Sequence, residues 1–289
     1  MIEFPIAAAA AALAGYSVFV ERTALGLTRL DLTFSRLPRS FDGFRVLQLA
    51  DLHIAHWGKL ERRMEEMLRG QSIDLVALTG DIAVRSKGAR LLREFLTRLR
   101  LDDRTYGVFG NTEHKGEYGR RRREDLSREA LRVLTNEHVV IDRDGERIVL
   151  VGVDDPFTGL DDLARALAGA PADAFKVLLA HAPSVAGDAA QAGIDLVLSG
   201  HTHGGQIRFP LVGAVFTHLR KYKRLVEGLF EGPELARILG TDPGEMRIYV
   251  SRGVGISNLP ARFLCPPEIV LVTLRCAACS TAPVQPIIY

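Results

Sequence analysis

The sequence is short of cysteine, of net charge and of repeats, and each shortage narrows the class of protein. It contains three cysteines, all late in the chain, whereas a secreted disulfide framework needs an even set. Its net charge of +2 is too small to indicate a nucleic-acid partner. Apart from one alanine run, it has no low-complexity segment and no internal repeat. The 289 residues, 47% of them hydrophobic, are enough for one sizeable core.

Charge is also absent from Phe4 to Val20, a run of 17 residues at the lower limit for a bilayer span. Only Glu3 precedes this run, so the basic start of a cleaved signal peptide is missing. We interpret residues 1–29 as an uncleaved anchor or interfacial helix with its linker. An alanine-rich helix packed on the domain is the alternative. Arg22 and Arg29 favour a cell-membrane protein whose following domain is cytoplasmic.

Polar residues of the types that bind metals follow five apolar, strand-like runs. They are Asp51-x-His53, Gly80-Asp81, Gly110-Asn111, His181 and Gly200-His201-Thr202-His203. The intervals from Asp51 to Asp81 and from Asp81 to Asn111 are equal and suit a strand, a helix and a return strand. Ligands gather at the carboxyl ends of strands in open α/β sheets. We therefore expect these motifs to meet at one site.

The donor set indicates which ions this site would bind. Two carboxylates, four imidazoles and one amide make seven oxygen and nitrogen donors, which is too many for one tetrahedral zinc. They suit two divalent cations that share a carboxylate, and Mn, Fe, Zn and Co all remain possible. Such a pair clamps the attacking and leaving oxygens of an in-line displacement. The chemistry that this arrangement serves best is hydrolysis of a phosphate ester.

These ordered motifs resemble the signature of the calcineurin-like metallophosphoesterases. Flanking segments resemble the bacterial membrane-anchored branch of that family, namely residues 41–45, 204–208, 249–255, 259–263 and 266–269. The resemblance covers residues from about 30 to 275 and implies a catalytic domain at 30–275, followed by a tail at 276–289. It also implies a four-layer αββα sandwich, in which two mixed sheets are flanked by helices.

The resemblance further implies how the ligands divide between the two metals. One metal would be held by Asp51, His53, Asp81 and His203. The other would be held by Asp81, Asn111, His181 and His201, so that Asp81 bridges the pair. Asp81 and Asn111 are therefore candidate catalytic residues as well as ligands.

One position departs from the family pattern. The family usually reads G-N-H-[D/E], and here Thr112 replaces that histidine. Threonine cannot act as a general acid near neutral pH. His114, two residues further on, is a candidate catalytic imidazole, and a surface histidine is the alternative. Arg252 and Arg262 are candidate donors to a substrate phosphate, unless they only pair with an acid such as Glu268.

Hydrophobic periodicity predicts an α/β (α+β) fold with two packed sheets flanked by helices. Strands are expected to end near residues 50, 78, 109, 151, 180 and 199. Helices are expected near 58–69, 88–100, 124–134, 160–168 and 184–192. A hairpin is predicted from 139–141 and 148–153. Strands at 247–251 and 269–274 are expected to complete the second sheet, and residues 280–289 to be a disordered end.

We therefore expect a membrane-associated, dinuclear phosphoesterase that hydrolyses a phosphodiester or pyrophosphate bond. A lipid-linked substrate is favoured, because an anchor would hold the site near the bilayer and residues 216–224 could meet an anionic headgroup. Family members that cleave UDP-diacylglucosamine support this substrate class. Segment 216–224 has a solvated helix face as its alternative. A nucleotide phosphodiesterase or phosphomonoesterase, and a metal-binding scaffold with little turnover, stay open as other functions.

Overall fold

The computed structural model describes residues 3–85, 87–129, 132–257 and 259–279. Within these residues, the α-helices are α1 (Glu3–Phe19), α2 (Lys59–Leu68), α3 (Lys87–Leu99), α4 (Gly116–Glu129), α5 (Leu163–Ala166), α6 (Ala186–Gln191) and α7 (Gly232–Leu239). The first strands are β1 (Gly26–Phe34), β2 (Arg45–Leu49), β3 (Leu75–Thr79), β4 (Thr105–Val108), β5 (Arg132–Val133), β6 (Glu137–Arg143) and β7 (Glu146–Gly152). The others are β8 (Phe175–Leu179), β9 (Leu196–Ser199), β10 (Arg208–Phe209), β11 (Gly213–Ala214), β12 (Gly228–Phe230), β13 (Arg247–Val250) and β14 (Glu268–Cys276).

Two mixed sheets form the centre of the fold. The first has the order β1-β14-β2-β3-β4-β5, and the second has the order β12-β13-β9-β8-β7-β6. Strands β2 to β5 run parallel, as do β7, β8, β9 and β13. Antiparallel pairs join β14 to β2, β12 to β13 and β6 to β7. The short strands β10 and β11 form a separate hairpin.

The alternation of side chains along the strands separates the core into layers. In β2, Val46 belongs to the cluster between the two sheets, whereas Leu47 and Leu49 pack with residues of α2 and α3. In β9, Leu196 packs between the sheets, and Val197 packs with residues of α5, α6 and α7. Each sheet is thus covered by helices on its outer face. This arrangement confirms the four-layer αββα sandwich that the sequence predicts.

Some elements differ from the expectation. The strand expected at 269–274 is β14, and it lies in the first sheet rather than the second, between β1 and β2. Strand β1 was not predicted, and it pairs in parallel with β14 from Gly26 onward, so the boundary expected at residue 29 falls inside a strand. Helix α4 begins at Gly116 and ends at Glu129, eight residues ahead of the predicted start, because a polar helix without an apolar stripe carries little periodicity.

Helix α1 is joined to the rest of the fold near its C-terminal end. The Arg262 amide donates to the Ser17 carbonyl at 3.1 Å, and the Cys265 amide donates to the buried Glu21 carboxylate at 2.5 Å. No helix among the described residues is both long enough and apolar enough to cross a membrane. The expectation for residues 280–289 lies outside the described residues.

Candidate metal centre

The carboxyl ends of the two sheets meet, and this junction brings the sequence motifs together. Across it, the Gln48 side chain donates to the Ser199 carbonyl at 2.9 Å, and the His201 amide donates to Asp51 Oδ2 at 2.9 Å. His181 Nδ1 lies 3.0 Å from the Thr79 carbonyl oxygen, which can only accept a hydrogen bond. The proton is therefore on Nδ1, and the Nε2 lone pair of His181 is free to face the junction.

A first group of donors gathers around His203. Its Nε2 atom lies 3.6 Å from Asp51 Oδ1 and 3.4 Å from His53 Nε2. His53 Nε2 lies in turn 3.5 Å from Asp81 Oδ2. Asp51, His53 and His203 present ligand atoms that all lie within 4.8 Å of one another.

A second group gathers around His181. Its Nε2 atom lies 3.0 Å from Asn111 Oδ1, 3.1 Å from His201 Nδ1 and 3.6 Å from Asp81 Oδ1. The two oxygens of Asp81 therefore face different groups, since Oδ2 is the atom that approaches His53. All seven sequence-predicted ligands are thus brought together, with Asp81 between the two groups.

The donor set fits divalent cations by two independent observations. Donor atoms bound to one cation at ~2.1 Å lie roughly 3.0–3.5 Å apart in octahedral or tetrahedral geometry, close to the spacing in both groups. In addition, Asp51 Oδ1, the carboxylate oxygen that faces His203, is buried with no hydrogen-bond partner among the described residues. Buried polar atoms are costly to leave without a partner. The cluster therefore suits cations better than it suits an apolar or purely hydrogen-bonded interior.

The charges in the cluster also call for a cation. Burial raises the pKa of Asp51 to about 7, and burial lowers the pKa of His201 to about 3. Burial would lower the pKa of His181 too, but the carboxylates of Asp81 and Asp51 outweigh it and raise that pKa to about 9. The rise shows that this position, between two buried carboxylates, favours positive charge. A divalent cation would supply that charge.

The backbone at the ligands is held in an uncommon conformation. Asp51, His53, Asp81, His201 and His203 all have positive φ, between 46° and 71°. This left-handed region costs a non-glycine residue about 1–3 kcal/mol and is most often found where function demands it. Five strained residues in one cluster therefore indicate a functional site rather than a packing feature.

Glycines beside the ligands leave room for their side chains. A Cβ at Gly80, whose φ is +83°, would collide with the imidazole of His181. A Cβ at Gly200 would collide with the carboxylate of Asp51. The glycines of the Gly-Asp and Gly-His motifs are thus required by the close approach of the two sheets.

Glu113 was missed by the sequence analysis, although it follows the departing threonine directly. It is fully buried, and its Oε2 accepts from the amides of Asp81 and Gly110 at 3.0 and 2.9 Å. Its Oε1 accepts from the Ile82 amide at 2.9 Å. Burial raises the pKa of Glu113 to about 7, and the charge of Asp81 adds to that rise. The side chain positions the loops that carry Asp81 and Asn111.

Replacing Glu113 with glutamine should lower the free energy of unfolding by about 2 kcal/mol, because the new amide group would face backbone N–H donors. Denaturant unfolding would measure the change. The matched control is Glu117→Gln, an exposed acid in α4 that should leave the stability unchanged. Equal stability of the two variants would contradict the role given to Glu113.

A cleft of about 410 Å³ opens directly over the candidate ligands. Beyond the ligands, its wall includes the cationic or titratable side chains of Lys115, Arg122 and His218, together with Thr112 and Phe157. Arg122 also donates to the Thr112 carbonyl at 2.7 Å, which fixes its guanidinium beside the position that a histidine occupies in the family pattern. No sequence motif singled out Arg122, which stands in a run of four arginines at 120–123.

The structure does not bring His114, Arg252 or Arg262 to the cleft wall. His114 Nε2 lies 2.6 Å from Asp154 Oδ1, and its Nδ1 accepts from Arg123 at 3.1 Å. Both imidazole nitrogens are therefore already engaged.

The two arginines also have protein partners. Arg252 is paired with Glu268 at 2.8 Å, which is the alternative considered for it from the sequence. Arg262 is wholly buried, and its guanidinium donates to the carbonyls of Arg252, Gly253, Gly255 and Cys265. It holds the loop behind the site, and this position supports no contact with a substrate.

Comparison with known proteins agrees with this geometry. A family profile described as calcineurin-like phosphoesterase matches residues 44–205. The metallophosphoesterase YkuE of Bacillus subtilis is 31% identical, over 90% of this chain and 89% of that protein. The phosphodiesterase YaeI of Escherichia coli is 32% identical, over 80% and 82%. The UDP-2,3-diacylglucosamine pyrophosphatase LpxG of Chlamydia muridarum is 28% identical, over 89% and 91%.

Solved structures are more distant. The NAD nucleotidase of Haemophilus influenzae has a TM-score of 0.46 and 15% identity, covering 73% of this chain and 45% of that one. The calcineurin-like phosphoesterase YfkN of Bacillus subtilis has a TM-score of 0.39 and 16% identity, covering 73% and 82%. This chain thus spans less than half of the nucleotidase. The family profile and the sequence relatives carry the assignment: the chain belongs to the calcineurin-like phosphoesterases and is a metal-dependent phosphoester hydrolase.

Proposed function

We propose that this protein hydrolyses a phosphodiester or pyrophosphate bond with two divalent cations held side by side. One cation would be held by Asp51, His53, Asp81 and His203, and the other by Asp81, Asn111, His181 and His201. The observation that carries the proposal is the Asp81 carboxylate, because its two oxygens face His53 and His181 at 3.5 and 3.6 Å. Mn, Fe, Zn and Co are all compatible with these donors.

Each part of the site then has a chemical task. Bound cations would supply Lewis acidity and a water acidified towards neutral pH. The Thr112 amide holds Asp81 Oδ1 at 2.8 Å, and the His201 amide holds Asp51 Oδ2 at 2.9 Å, so both carboxylates are oriented before any ion arrives. Lys115, Arg122 and His218 line the cleft and would orient the phosphate of a substrate.

Position 112 supplies no general acid for the leaving group. Thr112 lines the cleft but cannot protonate a leaving oxygen. Arg122, held beside it, can compensate negative charge on that oxygen but offers no proton near neutral pH. We therefore favour substrates whose leaving group is itself acidic, which a pyrophosphate provides and an alkyl ester does not.

A lipid-linked substrate is the class that we favour. An apolar groove of about 310 Å³ adjoins the cleft, with His203, His218 and Ser257 in the walls of both. A relative over most of the chain carries the name UDP-2,3-diacylglucosamine pyrophosphatase, a name that joins a pyrophosphate bond to acyl chains. The protein would then act at the surface of the cell membrane.

A substrate panel tests the proposal. The purified full-length chain with Mn²⁺ should hydrolyse bis(p-nitrophenyl) phosphate, and it should hydrolyse a diacylated nucleoside-diphosphate sugar faster than a simple nucleotide ester. A preference for nucleotide diesters or monoesters would favour the alternative enzymes. If the protein binds both ions but hydrolyses no substrate of the panel, the proposal is overturned and a metal-binding scaffold is the remaining function.

The role given to Arg122 predicts a moderate kinetic effect. Arg122→Gln should lower kcat/KM for a soluble diester by about tenfold or more, because one charge-assisted hydrogen bond to the phosphate is lost. Its metal content should stay at the wild-type value, since Arg122 is not a ligand. Arg121→Gln, an exposed neighbour in α4, is the matched control and should leave the kinetics unchanged. Equal kinetics of both variants would contradict the role.

A further inference from the structure

An exposed apolar surface borders the groove beside the metal cleft. We call it the apolar rim, and it consists of the hairpin segment 209–216 with Leu259 and Leu264. Leu211 is fully exposed, and Val212 and Phe216 are exposed to 73% and 72%. Single exposed apolar residues are ordinary on a protein surface, but a contiguous group marks a contact site.

Backbone contacts connect the apolar rim to the end of helix α1. Ile207 is bridged to Phe263, and the Arg208 amide donates to the Phe263 carbonyl at 2.9 Å. Arg262, the residue before Phe263, donates its amide to the Ser17 carbonyl of α1. Helix α1 has further exposed apolar side chains near this end, including Phe19 at 75%. The apolar rim and the C-terminal end of α1 are therefore held together by backbone hydrogen bonds.

The chain segment that carries most of the apolar rim is basic. Residues 204–226 contain no aspartate or glutamate, although the whole chain has 35 acidic residues against 37 basic ones. The same segment contains five basic residues, which are Arg208, Arg220, Lys221, Lys223 and Arg224. The last four are exposed. Arg208 is paired with Glu227 at 2.7 Å, so the exposed cations at 220–224 are the ones available to a partner. An apolar loop followed by exposed cations complements a surface that is apolar within and anionic outside.

The groove connects this surface to the chemistry. Phe216 and Leu259 of the apolar rim line the groove, and His218 and His203 line both the groove and the metal cleft. A chain of methylene groups lying in the groove would therefore end beside the candidate ligands.

From these observations we infer that the apolar rim docks on the surface of an anionic phospholipid bilayer, with Leu211 and Val212 inserted and residues 220–224 at the headgroups. The docked site takes a substrate whose apolar part passes from the bilayer through the groove. This inference rests on the proposed function, because it supplies the route by which a lipid-linked substrate reaches the cleft.

Vesicle binding of the full-length chain tests the inference. The double variant Leu211→Ser/Val212→Ser should bind vesicles of phosphatidylcholine and phosphatidylglycerol at least about tenfold more weakly than the wild type, because two inserted aliphatic side chains are lost. Hydrolysis of bis(p-nitrophenyl) phosphate in solution should not change, since neither residue lines the cleft or the groove. Val140→Ser/Leu160→Ser is the matched control, with exposed aliphatic residues away from the rim.

Charge provides the second arm of the test. Lys221→Gln/Lys223→Gln/Arg224→Gln should weaken binding to the anionic vesicles and reduce its dependence on salt, while binding to pure phosphatidylcholine should barely change. If the wild type binds vesicles equally well with and without phosphatidylglycerol, the choice of an anionic bilayer is overturned.

The remaining outcomes are also decisive. Full vesicle binding by the Leu211/Val212 variant would show that α1 alone binds the bilayer and would overturn the inference. The wild type could instead form a concentration-dependent dimer and bind no vesicles, while the Leu211/Val212 variant stays monomeric. That result would show that a second copy covers the rim, and it would overturn the inference too. Turnover of the soluble diester separates the two proposals: if it is present without vesicle binding, only the docking fails, and if it is absent, the proposed function fails.

Discussion

Replacing Asp81 with asparagine is expected to lower kcat/KM for a soluble phosphodiester by at least about a thousandfold, equivalent to ~4 kcal/mol of barrier. The physical reason is that Asp81 Oδ2 faces His53 and Asp81 Oδ1 faces His181, so one carboxylate serves both groups of donors. An asparagine keeps the shape but removes the negative charge between two cations. Steady-state kinetics together with metal analysis of the purified variant would measure both consequences.

The same variant should bind both metals more weakly, whereas His203→Ala should mainly empty the first group. Asp103→Asn provides the control, because that carboxylate is 73% exposed and belongs to neither group of donors. A variant Asp81→Asn that keeps two tightly bound metals and activity within tenfold of the wild type would contradict the bridging role.

The second large effect concerns position 112. The wild type should favour diesters with acidic leaving groups, such as nitrophenol or a phosphate, and be slow on alkyl diesters, because a general acid typically contributes about 10²–10⁴-fold. Thr112→His would place an imidazole in the cleft wall, where Thr112 already lies. We expect this substitution to raise the rate on a dialkyl phosphodiester about a hundredfold more than the rate on bis(p-nitrophenyl) phosphate.

His114→Ala decides between the two possible sources of an acid. Since both nitrogens of His114 are engaged by Asp154 and Arg123, its removal should change kcat by less than about tenfold. A hundredfold loss with both metals still bound would show that His114 is the displaced acid. If neither substitution alters turnover, the loop has no part in protonation, and the account of Thr112 fails.

The sequence located the cluster of candidate ligands because these residues follow strands. Apolar runs before Asp51, Asp81 and Asn111 indicate buried parallel strands. The carboxyl ends of parallel strands lie at the same edge of their sheet. The three-dimensional junction of two sheets adds His181 and His201 from the second sheet. Both histidines also follow apolar runs, so the same signal located them.

Elements that depend on tertiary contacts could not be read in the same way. Strand β14 carries no sign of which sheet it joins, and only its pairing with β1 and β2 shows it. The role of Glu113 depends on amides that belong to another loop, 30 to 32 residues away. Arg262 looked like a phosphate donor because an exposed arginine is the usual case, but its partners are backbone carbonyls.

The cleft walls show the same limit. Arg122 stands in a run of four arginines, and only the contact with the Thr112 carbonyl distinguishes it from its neighbours. His218 was recognised as part of a basic segment near the site, and the structure places it in the wall of both the cleft and the groove. Single positions on a polar helix or loop carry no periodicity that could reveal such contacts.

The most direct test of the central claim is a Mn²⁺ titration of the full-length protein followed by electron paramagnetic resonance and by diester hydrolysis. The account predicts two ions per chain with the spectrum of an exchange-coupled pair, activity that rises with occupancy of the second ion, and an uncoupled spectrum for Asp81→Asn. Saturation at one uncoupled ion per chain, with full activity, would contradict it.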